Sequence, residues 1–140
     1  MENEIEKQHI DMQRAIDLAL WMEFKYRMDD RKFQVVRDSR NNLYSVMPEI
    51  ERMKNAIELP KDYCDMDYNQ IEVIRNDKNP LIHWKELYEI ISKIHGQTLR
   101  FILYYQIPLD KWIRYELSLR GSDENQCWIG YEKAKEIWLK

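Results

Sequence analysis

Apolar residues recur at helical spacing along most of the chain. The longest such pattern covers residues 4–29, where apolar positions three, four and seven apart predict one amphipathic helix. A helix of this length would measure about 39 Å at 1.5 Å per residue and would extend past a small core. Its apolar face would pack on that core, or its overhang would contact a second copy or another protein. The residues that form the stripe are Ile5, Met12, Ile16, Ala19, Leu20 and Phe24.

A strand-like alternation follows at residues 32–47. Phe33 and Val35 alternate with polar residues, and Tyr44 and Val46 do the same. The segment between them is rich in Asp and Asn, which accept turn geometry. The sequence therefore predicts a small β-hairpin, which must pack on helices because an isolated hairpin is marginally stable.

Proline and glycine residues delimit the later helices. Pro48 is expected to open one helix and Pro60 to end it, while Asn79-Pro80 opens another that Gly96 should stop. Residues 61–79 are expected to be irregular, and their order is left open; an apolar patch at residues 71–74 fits a third strand. Residues 98–107 fit a strand or a helix, and we favour a short helix. Two more helices are predicted at residues 108–119 and 131–139.

These elements predict a mainly α (α+β) fold. With 140 residues, of which 44% are hydrophobic and 34% charged, the chain is expected to form one compact helical domain over residues 1–140. The domain would have a long N-terminal helix and a small β-hairpin near residues 32–47. We expect the helices around residues 84–95 and 109–119 to form its centre.

Composition narrows the range of functions. Three glycines cannot build a phosphate-binding glycine loop, and two cysteines cannot build a disulfide framework. No apolar run approaches the roughly 20 residues of a membrane span. The N-terminus is acidic and does not resemble a signal peptide, so a cytoplasmic location is expected. Abundant Ile, Lys, Asn and Tyr with scarce Ala and Gly are typical of a low-GC bacterial or phage gene.

A calcium loop fails on its essential residues. Asp65, Asp67 and Asn69 have the spacing of the first three ligands. However, Gln70 stands where the sharp turn needs Gly, and Asn76 stands where a bidentate Glu is needed. The acidic segment is therefore expected to be a surface loop.

Zinc and nucleophile motifs are also absent from the sequence. Three histidines and two cysteines are scattered without paired ligand spacing, and no Ser lies in a nucleophile elbow. We therefore assign no catalytic residue, metal or cofactor. An enzymatic activity without a recognisable motif stays open.

Residues 98–120 have the layout of a helix-turn-helix. A short helix, a turn at residues 106–108 and a second helix would place Ile107 and Trp112 at the contact between the helices. This likeness is to a generic motif and to no particular family. Four basic and two acidic residues give the segment a charge of +2 on a chain of −3. The predicted nucleic-acid contacts are Arg100, Lys111, Arg114, Tyr115 and Arg120.

Aromatic residues near the C-terminus form a second candidate surface. Trp128, Tyr131 and Trp138 are close in sequence, and Trp and Tyr often dominate protein interfaces. The same residues could equally belong to the core.

The predicted function is non-enzymatic. We expect a small cytoplasmic accessory protein of bacterial or mobile-element origin that binds another macromolecule, above all a protein, as an inhibitor or adaptor. A homodimer is compatible with this prediction, and a membrane association is not. The alternative is a nucleic-acid-binding regulator that uses residues 98–120.

Overall fold

The computed structural model describes the backbone of residues 8, 9 and 11–140 and the side chains of residues 11–140. The chain divides into two compact units, residues 1–89 and 90–140. The single domain over residues 1–140 stays a prediction. The elements are β1 (Gln8–His9), α1 (Met12–Lys25), a 3-10 turn (Arg27–Asp29), β2 (Phe33–Asp38), β3 (Leu43–Pro48), β4 (Ala56–Ile57), α2 (Tyr68–Asn76), α3 (Ile82–Lys93), α4 (Gly96–Tyr104), α5 (Leu109–Leu119) and α6 (Tyr131–Trp138).

The mainly α (α+β) fold class is confirmed. Six α-helices accompany one small antiparallel sheet in the described residues, with strand order β1-β3-β2-β4. The predicted hairpin is present as β2 and β3, with Val35 paired to Val46. Its turn uses the expected polar residues, because the Asp38 carboxylate accepts the Arg40 N–H and Asn42 adopts a φ of 56°.

The N-terminal helix is shorter than predicted. It remains the longest helix of the described residues, but it spans 14 residues from Met12 rather than residues 4–29. Asp11 ends the preceding extended chain and caps the helix by accepting the Gln13 N–H at 3.0 Å. Gln8–His9 pairs with β3 as a strand, so the described residues provide no helical overhang. Ile5 lies outside the described residues.

The segment after Pro48 is not helical, which corrects the prediction for residues 48–60. Gln34 on β2 is buried, and its side-chain amide binds this segment twice. The amide donates to the Glu51 carbonyl at 3.0 Å and accepts the Met53 N–H at 3.1 Å. These bonds hold residues 49–55 as an irregular connection into β4, and Ile50 is left 96% exposed.

A helix occupies part of the segment that was expected to be irregular. Asp67 and Gln70 form a reciprocal capping box at the start of α2, in which each side chain accepts the other's backbone N–H at 2.8 Å. The apolar patch at residues 71–74 therefore lies on a helix and not on a third strand.

The buried core lies between α1 and the sheet. This finding corrects the expectation that helices 84–95 and 109–119 form the centre, because α3 has no buried residue and α5 buries only Ser118. Small residues on α1 let the helix approach the strands closely, whereas Phe24 from the predicted stripe is 54% exposed. The core consists of Ala15, Ile16, Leu18, Ala19, Met22, Phe33, Val35, Val46 and Leu81.

Residues 90–140 contain three helices with little buried apolar surface. Residues 98–104 lie within α4, which settles the strand-or-helix alternative in favour of the helix. Gly96 does not stop α3 as expected; it begins α4, and the His95 ring nitrogen accepts the Gln97 N–H at 3.4 Å. In this unit α5 packs on α6, and Ala134 is the only buried apolar side chain among residues 90–140.

Candidate functional site

The face of α5 that points away from α6 is an exposed apolar stripe. Ser118 marks the packed side, because it is 1% exposed while Ala134 of α6 is 0% exposed. At 100° per residue, Leu109, Trp112 and Ile113 lie on the side opposite Ser118, and Tyr115 and Leu119 lie on one flank. They are between 50% and 66% exposed. This stripe, which we call the α5 face, consists of Leu109, Trp112, Ile113, Tyr115 and Leu119.

Two of the predicted nucleic-acid contacts lie toward the packed side of α5. Arg114 donates to the Trp138 carbonyl of α6 at 3.4 Å, and Lys111 is one turn before it. Arg120 forms an ion pair with Glu116 at 3.1 Å. Tyr115 belongs to the α5 face, and Arg100 lies separately on α4. The structure therefore does not place the five predicted side chains on one basic surface of α5.

The turn of the predicted helix-turn-helix contains one residue in the left-handed conformation. Gln106 adopts a φ of 51°, the left-handed conformation in which Gly is usual. The Ile107 N–H donates to the Ile102 carbonyl at 3.0 Å, and the Gln106 N–H donates to the Leu103 carbonyl at 3.3 Å. However, Trp112 is 66% exposed, so its expected role as the contact between the two helices is wrong.

The C-terminal aromatic residues divide between surface and interior. Trp128 and Tyr131 are exposed and meet edge to face, with ring centres 5.1 Å apart. Trp138 is half-buried, and its indole N–H donates to the Ser122 carbonyl at 2.8 Å. The Trp128 ring also lies against Gly121, which has a φ of 66°. Two of the three predicted partner-binding residues therefore offer exposed aromatic surface. Trp138 instead ties α6 to the backbone of the loop before it.

Residues 1–89 contain a cleft of about 660 Å³ between the end of α1, the segment around Tyr63 and the start of α3. Its walls are aromatic. The rings of Trp21 and His83 stack with centres 4.7 Å apart and an interplanar angle of 6°. The ring centre of Trp84 lies 4.8 Å from that of His83. The Tyr63 ring meets Trp84 edge to face, with ring centres 5.2 Å apart. We call this the aromatic cleft; no local pattern in the sequence indicates it.

A buried carboxylate behind the aromatic cleft accepts hydrogen bonds from two of the aromatic residues that line it. Asp17 on α1 is 3% exposed and accepts hydrogen bonds from three side chains. The Tyr63 hydroxyl donates at 2.9 Å, the Gln13 amide at 2.9 Å, and the Trp84 indole N–H at 3.3 Å. Burial raises the pKa of Asp17 above 3.8, and these hydrogen bonds oppose the rise. Asp17 thereby ties α1 to the Tyr63 segment and to α3.

The remaining titratable groups of this region have structural partners. Burial lowers the pKa of His83 to about 4, so its ring is neutral near pH 7. Burial and the Asp17 carboxylate raise the pKa of Tyr63, which therefore remains a hydrogen-bond donor.

Asp67, a residue of the rejected calcium loop, caps α2. Across residues 11–140 the structure shows no group of three or more His, Cys, Asp or Glu side chains that could hold a metal ion.

Both cysteines are free and exposed. The Cys64 N–H donates to Asp62 at 3.0 Å. Hydrogen bonding to Asp62 raises the pKa of the Cys64 thiol. This direction is the reverse of that expected for an activated nucleophile.

Comparisons with known proteins give no relative. No protein family model matches the chain, and neither a curated protein nor a solved structure matches it. In the described residues no helix combines the length and the apolar character needed to cross a membrane. A proposal about function therefore depends on the geometry of this chain alone.

Proposed function

We propose that this chain is a non-enzymatic protein-binding module whose main binding surface is the α5 face. The observation that carries the proposal is the contrast within residues 90–140. Ala134 is their only buried apolar side chain, whereas five large apolar side chains of α5 are at least half-exposed. Contiguous apolar patches of this kind usually mark sites of protein interaction.

The size of the surface suits a protein partner. The five side chains offer roughly 500 Å² of apolar surface at about 100 Å² each, and a stable interface buries about 800 Å² per partner. The aromatic side chains of Phe101 and Tyr104 on α4, and of Tyr105 directly after it, are also more than half-exposed and can supply additional area in the same unit. Trp128 and Tyr131 add a further aromatic patch.

The occupant that the charges favour is a second copy of this chain. The side of α5 that bears the apolar stripe carries one acid and one base, Glu116 and Arg120, which are paired at 3.1 Å. The other charged residues of the helix are exposed on its remaining sides, namely Asp110, Lys111 and Arg114. A neutral apolar stripe opposed to its own copy meets no like-charge repulsion. Such a self-complementary surface is what a twofold dimer requires, because the same patch serves both subunits.

Sedimentation velocity over a wide concentration range tests this proposal. We expect the wild-type chain to form a dimer and the Trp112→Ser/Leu119→Ser variant to remain a monomer with unchanged helical circular dichroism. Ile50→Ser is the matched control, because it removes a 96% exposed apolar side chain from residues 1–89 and should leave the dimer intact. A wild-type monomer at every concentration would exclude a second copy as the occupant.

An accessory role fits this surface. An adaptor or inhibitor acts by covering or joining other proteins, which needs an interface and no catalytic centre. A cytoplasmic setting and a bacterial or mobile-element origin remain part of the proposal, supported by the composition of the chain.

The second candidate function is nucleic-acid binding through residues 98–120. It is favoured by one observation, the left-handed Gln106 that joins two helices as in a helix-turn-helix. The long side chains of Arg100 and Lys111 are exposed and would contact phosphates.

A gel-shift titration with mixed-sequence duplex DNA at low and moderate salt tests this alternative. Binding that weakens with salt and is lost in Lys111→Glu/Arg114→Glu would support it. The absence of any shift at low salt would eliminate it, because nonspecific phosphate binding is strongest there.

A further inference from the structure

The aromatic cleft has the size and the wall chemistry of a small-molecule site. Its volume of about 660 Å³ falls in the range of about 300–1,000 Å³ found for ligand pockets. The His83 ring stacks on Trp21 and contacts Trp84 at a tilt, and Asp17 accepts hydrogen bonds from Tyr63 and Trp84. The walls are therefore formed before any ligand arrives.

A phenylalanine and an arginine pair with each other at the cleft. Phe24 is 54% exposed, and its ring centre lies 5.8 Å from that of Trp21. The Arg27 guanidinium lies 4.3 Å from the centre of the Phe24 ring. Planar bases stack on aromatic rings and on the guanidinium plane of arginine.

The rim of the cleft is basic on a chain that is acidic overall. Four cations lie around it, namely Arg27, Arg31, Lys32 and Lys61, against three acids. Two of these acids are engaged with backbone N–H groups: Glu23 accepts from Phe33 at 3.1 Å, and Asp62 accepts from Cys64 at 3.0 Å. The net positive rim contrasts with the charge of −3 on the whole chain. An anion is therefore the complementary ligand.

We propose that the aromatic cleft binds a mononucleotide. The base stacks on the pair that Phe24 forms with the Arg27 guanidinium, and the phosphate lies at the rim between Lys32 and Lys61. A planar ring joined to an anionic group by a short sugar matches an aromatic wall beside a basic rim. The neutral His83 ring extends the stacked wall and adds no charge to it.

Intrinsic fluorescence provides the assay, because Trp21 and Trp84 both line the cleft. We expect adenosine monophosphate to quench the emission of the full chain in a saturable way. Adenosine and inorganic phosphate should each bind at least about tenfold more weakly, because about 1.4 kcal/mol of binding is lost with either half of the ligand.

Two variants separate the two halves of the site. Lys32→Ala/Lys61→Ala should weaken the binding of adenosine monophosphate at least about tenfold, because charge-assisted contacts are lost. The binding of adenosine should not change. Phe24→Leu should weaken the binding of adenosine and leave the binding of inorganic phosphate unchanged. Because Phe24 is exposed, this substitution should not unfold the chain. The matched control is Arg37→Ala/Lys54→Ala, which removes two exposed cations elsewhere in the same unit.

Three results would overturn the proposal. The first is an absence of saturable quenching by adenosine monophosphate. The second is binding that neither variant weakens more than the control does. The third is an oligonucleotide that binds far more tightly than its mononucleotide, which would assign the cleft to single-stranded nucleic acid instead.

Discussion

Replacing Asp17 by alanine should weaken the first unit at the point where three segments meet. The carboxylate is 3% exposed and accepts hydrogen bonds from Gln13, Tyr63 and Trp84. Alanine leaves these three donors without their acceptor. Because Gln13 is on α1, Tyr63 on the following loop and Trp84 on α3, the loss loosens the docking of α3 and the Tyr63 segment on α1.

The magnitude follows from the three bonds. Each contributes about 1 kcal/mol, the usual net value of a protein hydrogen bond, because the donors are half-buried and can reach water once released. The sum is about 3 kcal/mol of unfolding free energy, which corresponds to a fall in Tm of about 12–24 °C for a unit of this size.

The destabilisation by Asp17→Ala should also depend on pH. Burial raises the folded-state pKa of Asp17 above the unfolded value of 3.8. The stability linked to this group is therefore fully present below pH 3.8 and is lost as the pH rises through the folded pKa. The difference between wild type and Asp17→Ala should accordingly grow as the pH falls from neutrality toward 3.8.

Urea unfolding followed by tryptophan fluorescence measures this difference, with Glu58→Ala as the control for removal of an exposed acid. Tyr63→Phe in the wild-type and Asp17→Ala backgrounds completes a double-mutant cycle. The reasoning is refuted if Asp17→Ala unfolds within about 0.5 kcal/mol of wild type, the usual range of surface substitutions. It is also refuted if Tyr63→Phe costs the same in both backgrounds.

Three other changes have defined outcomes. Since the folded pKa of His83 is about 4 against 6.5 when unfolded, wild type should lose stability as the pH falls through this interval, and His83→Gln should lack that loss in parallel urea curves. Gly121→Ala should cost at least about 1 kcal/mol, because φ is positive and the new Cβ would overlap the Trp128 ring; a native-state fluorescence change would report the displaced ring. Asp62→Asn should lower the pKa of Cys64 and speed its alkylation at fixed pH, read by peptide mass spectrometry; an unchanged rate would contradict this.

The elements that sequence patterns predicted well are those with strong local signals. The hairpin follows from alternation and an Asp/Asn turn, and the observed register pairs Val35 with Val46. Helices α5 and α6 lie within a residue or so of their predicted limits, because Pro108 and Gly121 delimit one of them.

The errors arose where a distant partner decides local structure. The Gln34 amide binds the segment after Pro48 through two long-range hydrogen bonds, which no local propensity reveals. Gln8–His9 pairs with β3 in the same way and shortens the N-terminal helix. The capping box of Asp67 and Gln70 is a local sequence signal for the start of a helix. These residues were instead considered only as part of a calcium loop.

The candidate sites were less accessible to sequence than the fold. The apolar spacing of α5 was correctly taken as helical, but periodicity cannot say whether an apolar face is covered. The aromatic cleft joins residues that are about sixty positions apart, such as Trp21 and His83, and only the tertiary structure brings them together.

Hydroxyl-radical footprinting at low and high protein concentration tests the binding role of the α5 face most directly. Trp112 and Tyr115 are both reactive and more than half-exposed, and Tyr68 on α2 is an 88% exposed reference. If a second copy covers the α5 face, oxidation of Trp112 and Tyr115 falls as the concentration rises while oxidation of Tyr68 stays constant. Equal oxidation of Trp112 and Tyr115 at all concentrations would contradict the account.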